Sequence, residues 1–287
     1  MSLVFTMPGK IGDALIQFPI VYHYCRKNNV KATLWLDEHT LKPLVPLFES
    51  QPCVEAVVLK PGIVNWNCGG QPWHFDLPTS EFEGNTVYHL GYRGFPNRQL
   101  TLESLAQSAV PLDVDTDEMA ETPCLVLPEQ PKLRRCAIHG QGVYAHTRTT
   151  PTLWRFIASI RGDLKSRFDE VVFVGTDRDR AVGRETYPEW GEFDDAGNFK
   201  ALAEYISGSE LVIGTGSSVV ALAGLIKVPA IRVHDGFASV PKAVFANLGR
   251  NQLNATEVEL RTEWPKFRDE WLWDADKADM DESVKLF

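Results

Sequence analysis

The sequence predicts an α/β protein built of two successive Rossmann-like units, each a doubly wound parallel sheet, facing one another across a cleft. Three observations carry this. A strand, a glycine-bearing turn and a helix follow one another from Leu3 to about Asn28, and the same pattern restarts at Arg135. The run Glu170-Val171-Val172-Phe173-Val174-Gly175 is continuously apolar, as a parallel strand buried on both faces requires. A polar, proline-rich bridge, roughly Thr122 to Lys132, separates the two patterns. With 287 residues the chain can fill two cores. The expected divisions are 1–130, 131–262, and a closing segment 263–287 that packs back on the first unit.

In the first unit, Leu3-Val4-Phe5-Thr6 is a strand and Pro8-Gly9-Lys10-Ile11-Gly12 its turn. From Asp13 to about Asn28, Leu15, Phe18, Pro19, Tyr22 and Cys25 recur three and four apart, which predicts a helix with one buried face. Lys31–Leu36, Glu55–Leu59 and Thr86–Leu90 follow as strands. The stretch 61–80, rich in Gly, Pro, Asn and Trp without period, is a loop insertion, and Thr101–Ser108 is a helix opened by Thr101. In the second unit, Arg135–His139 is a strand ending in Gly140-Gln141-Gly142. Thr150-Pro151 starts a helix through about Arg161, since proline fits the first helical turn. The remaining elements are strands at Glu170–Gly175, Leu211–Gly214 and Ala230–Val233, with helices at Asn198–Ser207 and Ser217–Ile226. The Trp- and acid-rich tail from Glu263 is helical.

Composition narrows the function. A formal net charge of −9 argues against bulk nucleic-acid binding, which needs a basic stripe. The longest apolar run, about Val219 to Ile226, stops at Lys227 and cannot span a bilayer, and the first residues lack the features of a signal peptide. Five scattered cysteines without a Cys-x-x-Cys pair suit reduced thiols in a cytoplasmic protein and offer no zinc site. Asp113-Val114-Asp115-Thr116-Asp117-Glu118 imitates an EF-hand start, but Met119 and Cys124 stand where a Gly and a bidentate Glu are needed. We expect a solvated acidic turn there, and no metal.

Two turns carry candidate chemistry. At Gly9-Lys10-Ile11-Gly12-Asp13 the glycines let a ligand approach the backbone, and the positive helix end keeps Asp13 ionised. Asp13 suits a general base for an incoming hydroxyl, or a helix cap alone. Gly214-Thr215-Gly216-Ser217-Ser218 joins a strand to a helix with exposed amides and hydroxyls, which suits a diphosphate or a tightly packed turn. It is neither a Walker loop nor a nucleophile elbow.

The run Gly9-x-Ile11-Gly12-Asp13-x-Leu15-x-x-x-Pro19, then Arg26, resembles the opening signature of glycosyltransferase family 9, which contains the ADP-heptose:lipopolysaccharide heptosyltransferases. The resemblance extends over most of the chain and implies a GT-B fold. In the family the acid at the Asp13 position is the catalytic base. Ser217, Leu222, Ala223 and Pro229 match the family's donor-binding signature. Gly216 stands where an Asp is expected, Ser218 where a Gly is, and Ala221 where a His is. The family's phosphate-holding lysine is missing from the loop 140–148, where Arg148 lies close to its place; a guanidinium can take phosphate in a forked pair of bonds, or sit solvated.

The resemblance implies an inverting, metal-independent transfer of a hexose- or heptose-like sugar. The donor is a nucleoside-diphosphate sugar and the acceptor a hydroxyl on a glycan or glycolipid, with peripheral association at the inner membrane face. Gly140, Gln141, Gly142, Arg148, Gly175, Thr215, Gly216, Ser217 and Ser218 are the candidate donor residues. Gly9, Lys10, Ile11 and Gly12 form the acceptor-side loop, and Asp13 is the catalytic candidate. Two alternatives stand beside this: a nucleotide-sugar-binding protein without turnover, suggested by Gly216 and Ala221, and a nucleotide-sugar 2-epimerase, which needs a further acid/base group that no spacing identifies.

Overall fold

The computed structural model describes residues 3–7, 9–61, 79–82, 84–90, 112–115, 118–119, 122–140, 149–215, 218–234, 252–256 and 264–265. The first unit runs β1 (Leu3–Thr6), α1 (Ile11–Asn28), β2 (Ala32–Asp37), a 3-10 turn (Lys42–Leu44) leading into α2 (Val45–Glu49), β3 (Val54–Lys60), β4 (Thr79–Phe82) and β5 (Asn85–His89). Its sheet has the order β3-β2-β1-β5-β4, parallel throughout except that β4 pairs antiparallel with β5. That hairpin strand lies at the edge of the stretch expected to be loop. Residues 62–78 and the expected helix at 101–108 lie outside the described residues.

The second unit runs β6 (Leu133–His139), α3 (Thr149–Arg167), β7 (Glu170–Gly175), α4 (Asp177–Thr186), β8 (Gly191–Asp194), α5 (Phe199–Ser207), β9 (Ser209–Gly214), α6 (Ser218–Leu225), β10 (Ala230–His234) and β11 (Gln252–Thr256). Its six strands lie in the order β8-β7-β6-β9-β10-β11, every pair parallel. Counted along this unit that is 3-2-1-4-5-6, the doubly wound order whose switch point falls between the first and fourth strands.

Three of these elements escape sequence patterning. Helix α4 reads Asp-Arg-Asp-Arg-Ala-Val-Gly-Arg-Glu-Thr, and its buried residues are Arg180 and Gly183 instead of an apolar stripe. Gly183 lies against the Phe173 ring, where an added Cβ would come within 2.6 Å. Arg180 donates from Nε to the Gly175 carbonyl at 3.0 Å and pairs with Glu192 and with Asp194 at 2.9 Å. The helix is therefore held by charge pairing, which leaves no hydrophobic period. Strands β8 and β11 are short edge strands, the least apolar positions of a parallel sheet.

Helix α1 corrects a second expectation. The three-and-four spacing predicts one buried face, yet every residue from Ala14 to Val21 is buried. One side lies on its own sheet and the other packs on α6 of the second unit. Phe5, Leu15 and Phe18 share one core with Val212, Val220 and Leu222, and Phe18 stacks on Phe48 at 4.7 Å. The two units thus meet through buried helices behind the strand ends. Trp264 packs edge-on against Phe156 of α3 and donates to Asp163 at 2.7 Å, on the second unit, while the rest of 263–287 lies outside the described residues.

The bridge laces the units together. The Cys124 N–H donates to Leu225 at 2.9 Å, and the Val126 N–H donates to the Gln51 side chain at 2.8 Å. His23 is buried beneath it, with Nε2 3.6 Å from Cys124 Sγ and Nδ1 3.7 Å from Glu118. Burial is the main reason its pKa lies below the ordinary 6.5, with Arg26 and Lys227 adding to the shift against Glu118 and Asp115. Below 6.5 the unfolded chain binds a proton that the folded chain refuses, so stability present above that value is lost as pH falls toward the lowered one. The melting temperature should fall between about pH 7.5 and about pH 5. His23→Gln should flatten that slope; an equal slope in the variant would place the loss elsewhere. Among the described residues no helix is long and apolar enough to cross a membrane. The described cysteines are buried and carry no disulfide; burial pushes the Cys25 and Cys124 thiols up to about 12, so neither is a ready nucleophile.

Candidate functional site at the strand ends

The chain leaves β1 through the buried Met7 and turns at Gly9, whose φ of +112° is open to glycine and strained for other residues. Thr6 Oγ1 lies 3.0 Å from His89 Nδ1, and the Leu90 N–H donates to the Thr6 carbonyl at 3.0 Å, tying β1 to β5 at the switch point of the first sheet. Asp13 is the third residue of α1, and the Lys10 N–H donates to its Oδ2 at 3.0 Å. The capping role is therefore present. It does not exclude the second role, because a carboxylate has about four lone-pair positions.

The two candidate turns come together. A Cβ placed on Gly12 would lie 3.7 Å from both the Cα and the backbone nitrogen of Ser218, so the start of α1 abuts the start of α6. Two helix N-termini, each with a partial positive charge, converge at this point. Asp13 lies one residue from Gly12, and Thr215 leads into the second turn. Lys10 and Ile11 are half-buried beside them. Arg26 stands at the far end of α1, where it pairs with Glu118 at 3.4 Å, and takes no part here.

At the second switch point the end of β6 carries a residue that sequence patterning did not single out. His139 is 5% exposed, and its Nε2 faces Asp179 Oδ2 at 3.7 Å. Asp179 caps α4, accepting from the Thr176 N–H at 3.0 Å and the Thr176 hydroxyl at 2.6 Å. Burial works to raise its pKa, but His139 and Thr176 outweigh this and hold it below the ordinary carboxylate range. Asp195, at the end of β8, is buried nearby and goes the other way: burial, Asp194 and Asp179 raise it against the Gly197 N–H and His139.

Gly140, Gly175 and Gly214 lie close around this histidine and its partner. A Cβ on Gly140 would lie 2.6 Å from the Asp179 carbonyl oxygen and 2.8 Å from the Trp154 ring. On Gly175, with φ +110°, it would lie 3.0 Å from the His139 ring and 3.1 Å from Asp179. On Gly214, opposite His139 in the ladder, it would lie 3.1 Å from Val220 and 3.4 Å from His139 Cβ. Arg232 stands in the same cross-strand row on β10, and burial lowers its pKa to about 10, leaving it charged at neutral pH. The Thr176-x-x-Asp179 spacing, a capping box with Asp in the place of Glu, was the signal that could have revealed both α4 and the partner of His139.

Gln141, Gly142, Arg148, Gly216 and Ser217 lie outside the described residues. Ala221 is fully buried in the shared core, facing neither turn. In the acidic run Asp113, Asp115 and Glu118 are exposed, with Asp113 paired to Lys27 and Glu118 to Arg26, while Thr116 and Asp117 lie outside the described residues. Among the described residues no three His, Cys, Asp or Glu side chains are grouped to hold a metal.

No protein-family model matches the sequence, and no curated protein matches it. Solved structures do. The chain superposes on heptosyltransferase WaaC of E. coli with ADP at a TM-score of 0.62 and 10% identity, covering 89% of this chain and 93% of that one. E. coli ADP-heptose lipopolysaccharide heptosyltransferase II gives 0.59 and 11%, covering 89% and 90%. The family 9 glycosyl transferase of Veillonella parvula gives 0.60 and 11%, covering 93% and 89%. At this identity the likeness establishes the fold: the protein is an α/β protein of the GT-B type, with two Rossmann-like units.

Proposed function

We propose that the protein is a family 9-like glycosyltransferase that moves a sugar from a nucleoside-diphosphate donor to a hydroxyl acceptor. The observation that carries this is the meeting of Gly12, at the start of α1, with Ser218, at the start of α6. A carboxylate on one side and helix-end amides on the other suit the two charges that such a reaction develops. Asp13 accepts the acceptor's proton as its oxygen attacks the anomeric carbon. The bond to the diphosphate breaks on the opposite face, with inversion, and its electrons pass to the phosphate oxygen. Gly140, Gln141, Gly142, Arg148, Gly175, Thr215, Gly216, Ser217 and Ser218 form the donor side, and Gly9 to Gly12 the acceptor side. Arg232, buried in the row of Gly214, adds positive charge where the diphosphate sits.

The similar E. coli structures are named for heptosyl transfer and one holds ADP, which supports a heptose-like sugar and a lipopolysaccharide-type acceptor. Such a reaction belongs at the cytoplasmic face of a membrane. The leaving diphosphate needs no cation if amides and arginines hold it, so one of ADP, UDP or GDP should bind with the same affinity in EDTA as in Mg²⁺, measured by titration calorimetry. Binding that vanishes in EDTA and returns with Mg²⁺ or Mn²⁺ would contradict the metal-independent arrangement.

A further inference from the structure

We infer that His139 and Thr215 form a phosphate clasp, in which His139, carrying a proton on both ring nitrogens in the bound complex, donates Nδ1–H, and Thr215 donates Oγ1–H, to oxygens of the phosphate that leaves with the nucleotide. The inference rests on the proposed transfer reaction and adds to it a histidine that neither the sequence motifs nor the donor turn supplied. The two residues end neighbouring strands: His139 is the last residue of β6, opposite Gly214, and Thr215 follows Gly214 directly. Both are buried, at 5% and 1% exposure. Neither His139 Nδ1 nor Thr215 Oγ1 has a hydrogen-bond partner among the described residues. Buried polar atoms are nearly always paired, and two partnerless ones at the ends of neighbouring strands, at a switch point, mark where a ligand's polar atoms belong.

The chemistry of the surroundings selects an anion. The positive ends of α1 and α6 converge here, and Arg232 shares the strand row. The groups facing the imidazole are Asp179 from α4 and Asp195 from the end of β8. Asp179 is matched by Nε2 and by the two Thr176 donors, which fixes the ring and leaves Nδ1 for the ligand. Burial is the largest of the causes that raise the pKa of Asp195. The clasp moves no proton: as the bond between anomeric carbon and phosphate oxygen breaks, it stabilises the charge left on the diphosphate, while the acceptor's proton goes to Asp13.

The test is calorimetric titration of the full chain with ADP, UDP and GDP. Thr215→Val keeps shape and removes a partnerless hydroxyl, so its melting temperature should hold or rise while affinity for the preferred diphosphate falls about tenfold. His139→Gln should weaken that diphosphate about ten- to a hundredfold and the corresponding nucleoside hardly at all. In wild-type protein carrying ¹⁵N-histidine, the Nδ1 resonance of His139 should move on titration, a readout that does not depend on any variant folding. If wild type binds a diphosphate while Thr215→Val binds it equally well and the Nδ1 resonance stays still, the clasp is wrong and the transfer reaction stands. If wild type binds none of the three, the proposed reaction falls and the clasp with it.

Discussion

Asp13→Asn should slow sugar transfer by about 10²–10⁴-fold while leaving donor affinity and melting temperature almost unchanged. The structure sharpens the contrast between the two roles of this residue. The Lys10 N–H donates to Asp13 Oδ2 at 3.0 Å, and an asparagine carbonyl oxygen can accept the same bond. Asparagine is also nearly as good as aspartate at a helix start, so the cap survives the substitution. What the amide cannot do is take a proton from the acceptor hydroxyl. Initial rates and a thermal melt on the same variant therefore separate the roles: a wild-type rate with a wild-type melt would leave Asp13 a helix cap and nothing more.

The second large effect is expected at Gly140. A methyl group there would stand 2.6 Å from the Asp179 carbonyl oxygen and 2.8 Å from the Trp154 ring, so the end of β6 or the start of α4 has to move. Overpacking of this kind costs about 1–3 kcal/mol. Gly140→Ala should lower the melting temperature by several degrees and, because the shift separates His139 from Asp179, weaken nucleoside diphosphate binding as well. Gly162, in the middle of α3, is the control of opposite sign: a Cβ there meets nothing within 4 Å, so Gly162→Ala should stabilise the protein by about 0.4–1 kcal/mol. Equal melting behaviour of the two variants would show that Gly140 is not held between α4 and Trp154.

The parts of the fold legible in the sequence were those written in apolar residues. The strand-turn-helix at Leu3 to Asn28 and the run at Glu170–Gly175 each have a hydrophobic pattern that matches the element found there. What stayed hidden was built from charge and from absence of side chain. Helix α4 buries an arginine and a glycine, so a search for apolar periodicity passes over it, although Arg180 locks it to β7 and β8. The all-round burial of α1 was hidden for another reason, since contact with α6 joins residues some two hundred positions apart and leaves no local trace.

The site divides the same way. Gly9 to Asp13 and Gly214 to Ser218 announce themselves as turns between strand and helix, and the structure brings Gly12 and Ser218 together. The glycines at 140, 175 and 214 were legible as special positions, and what a Cβ there would meet, Asp179, Trp154, His139 and Val220, was not. His139 itself sits in an ordinary strand, and nothing in its neighbours predicts that one ring nitrogen meets a carboxylate while the other meets none. Gly216 and Ala221, where the family pattern has an acid and a histidine, leave the donor turn without those two groups. The pair at His139 and Asp179 sets an imidazole beside a carboxylate at the strand ends, which is why turnover and epimerisation have to be told apart by product.

The measurement that does so is a panel of nucleoside-diphosphate sugars incubated with the protein in EDTA, with and without hydroxyl acceptors that include lipopolysaccharide core glycolipids, followed by assay of free diphosphate and of the sugar product. The account predicts that one donor releases its diphosphate only when an acceptor is present, and that the sugar appears on that acceptor with inverted anomeric configuration. A donor that binds and is recovered intact with every acceptor, or one converted to its 2-epimer without any acceptor, would contradict it.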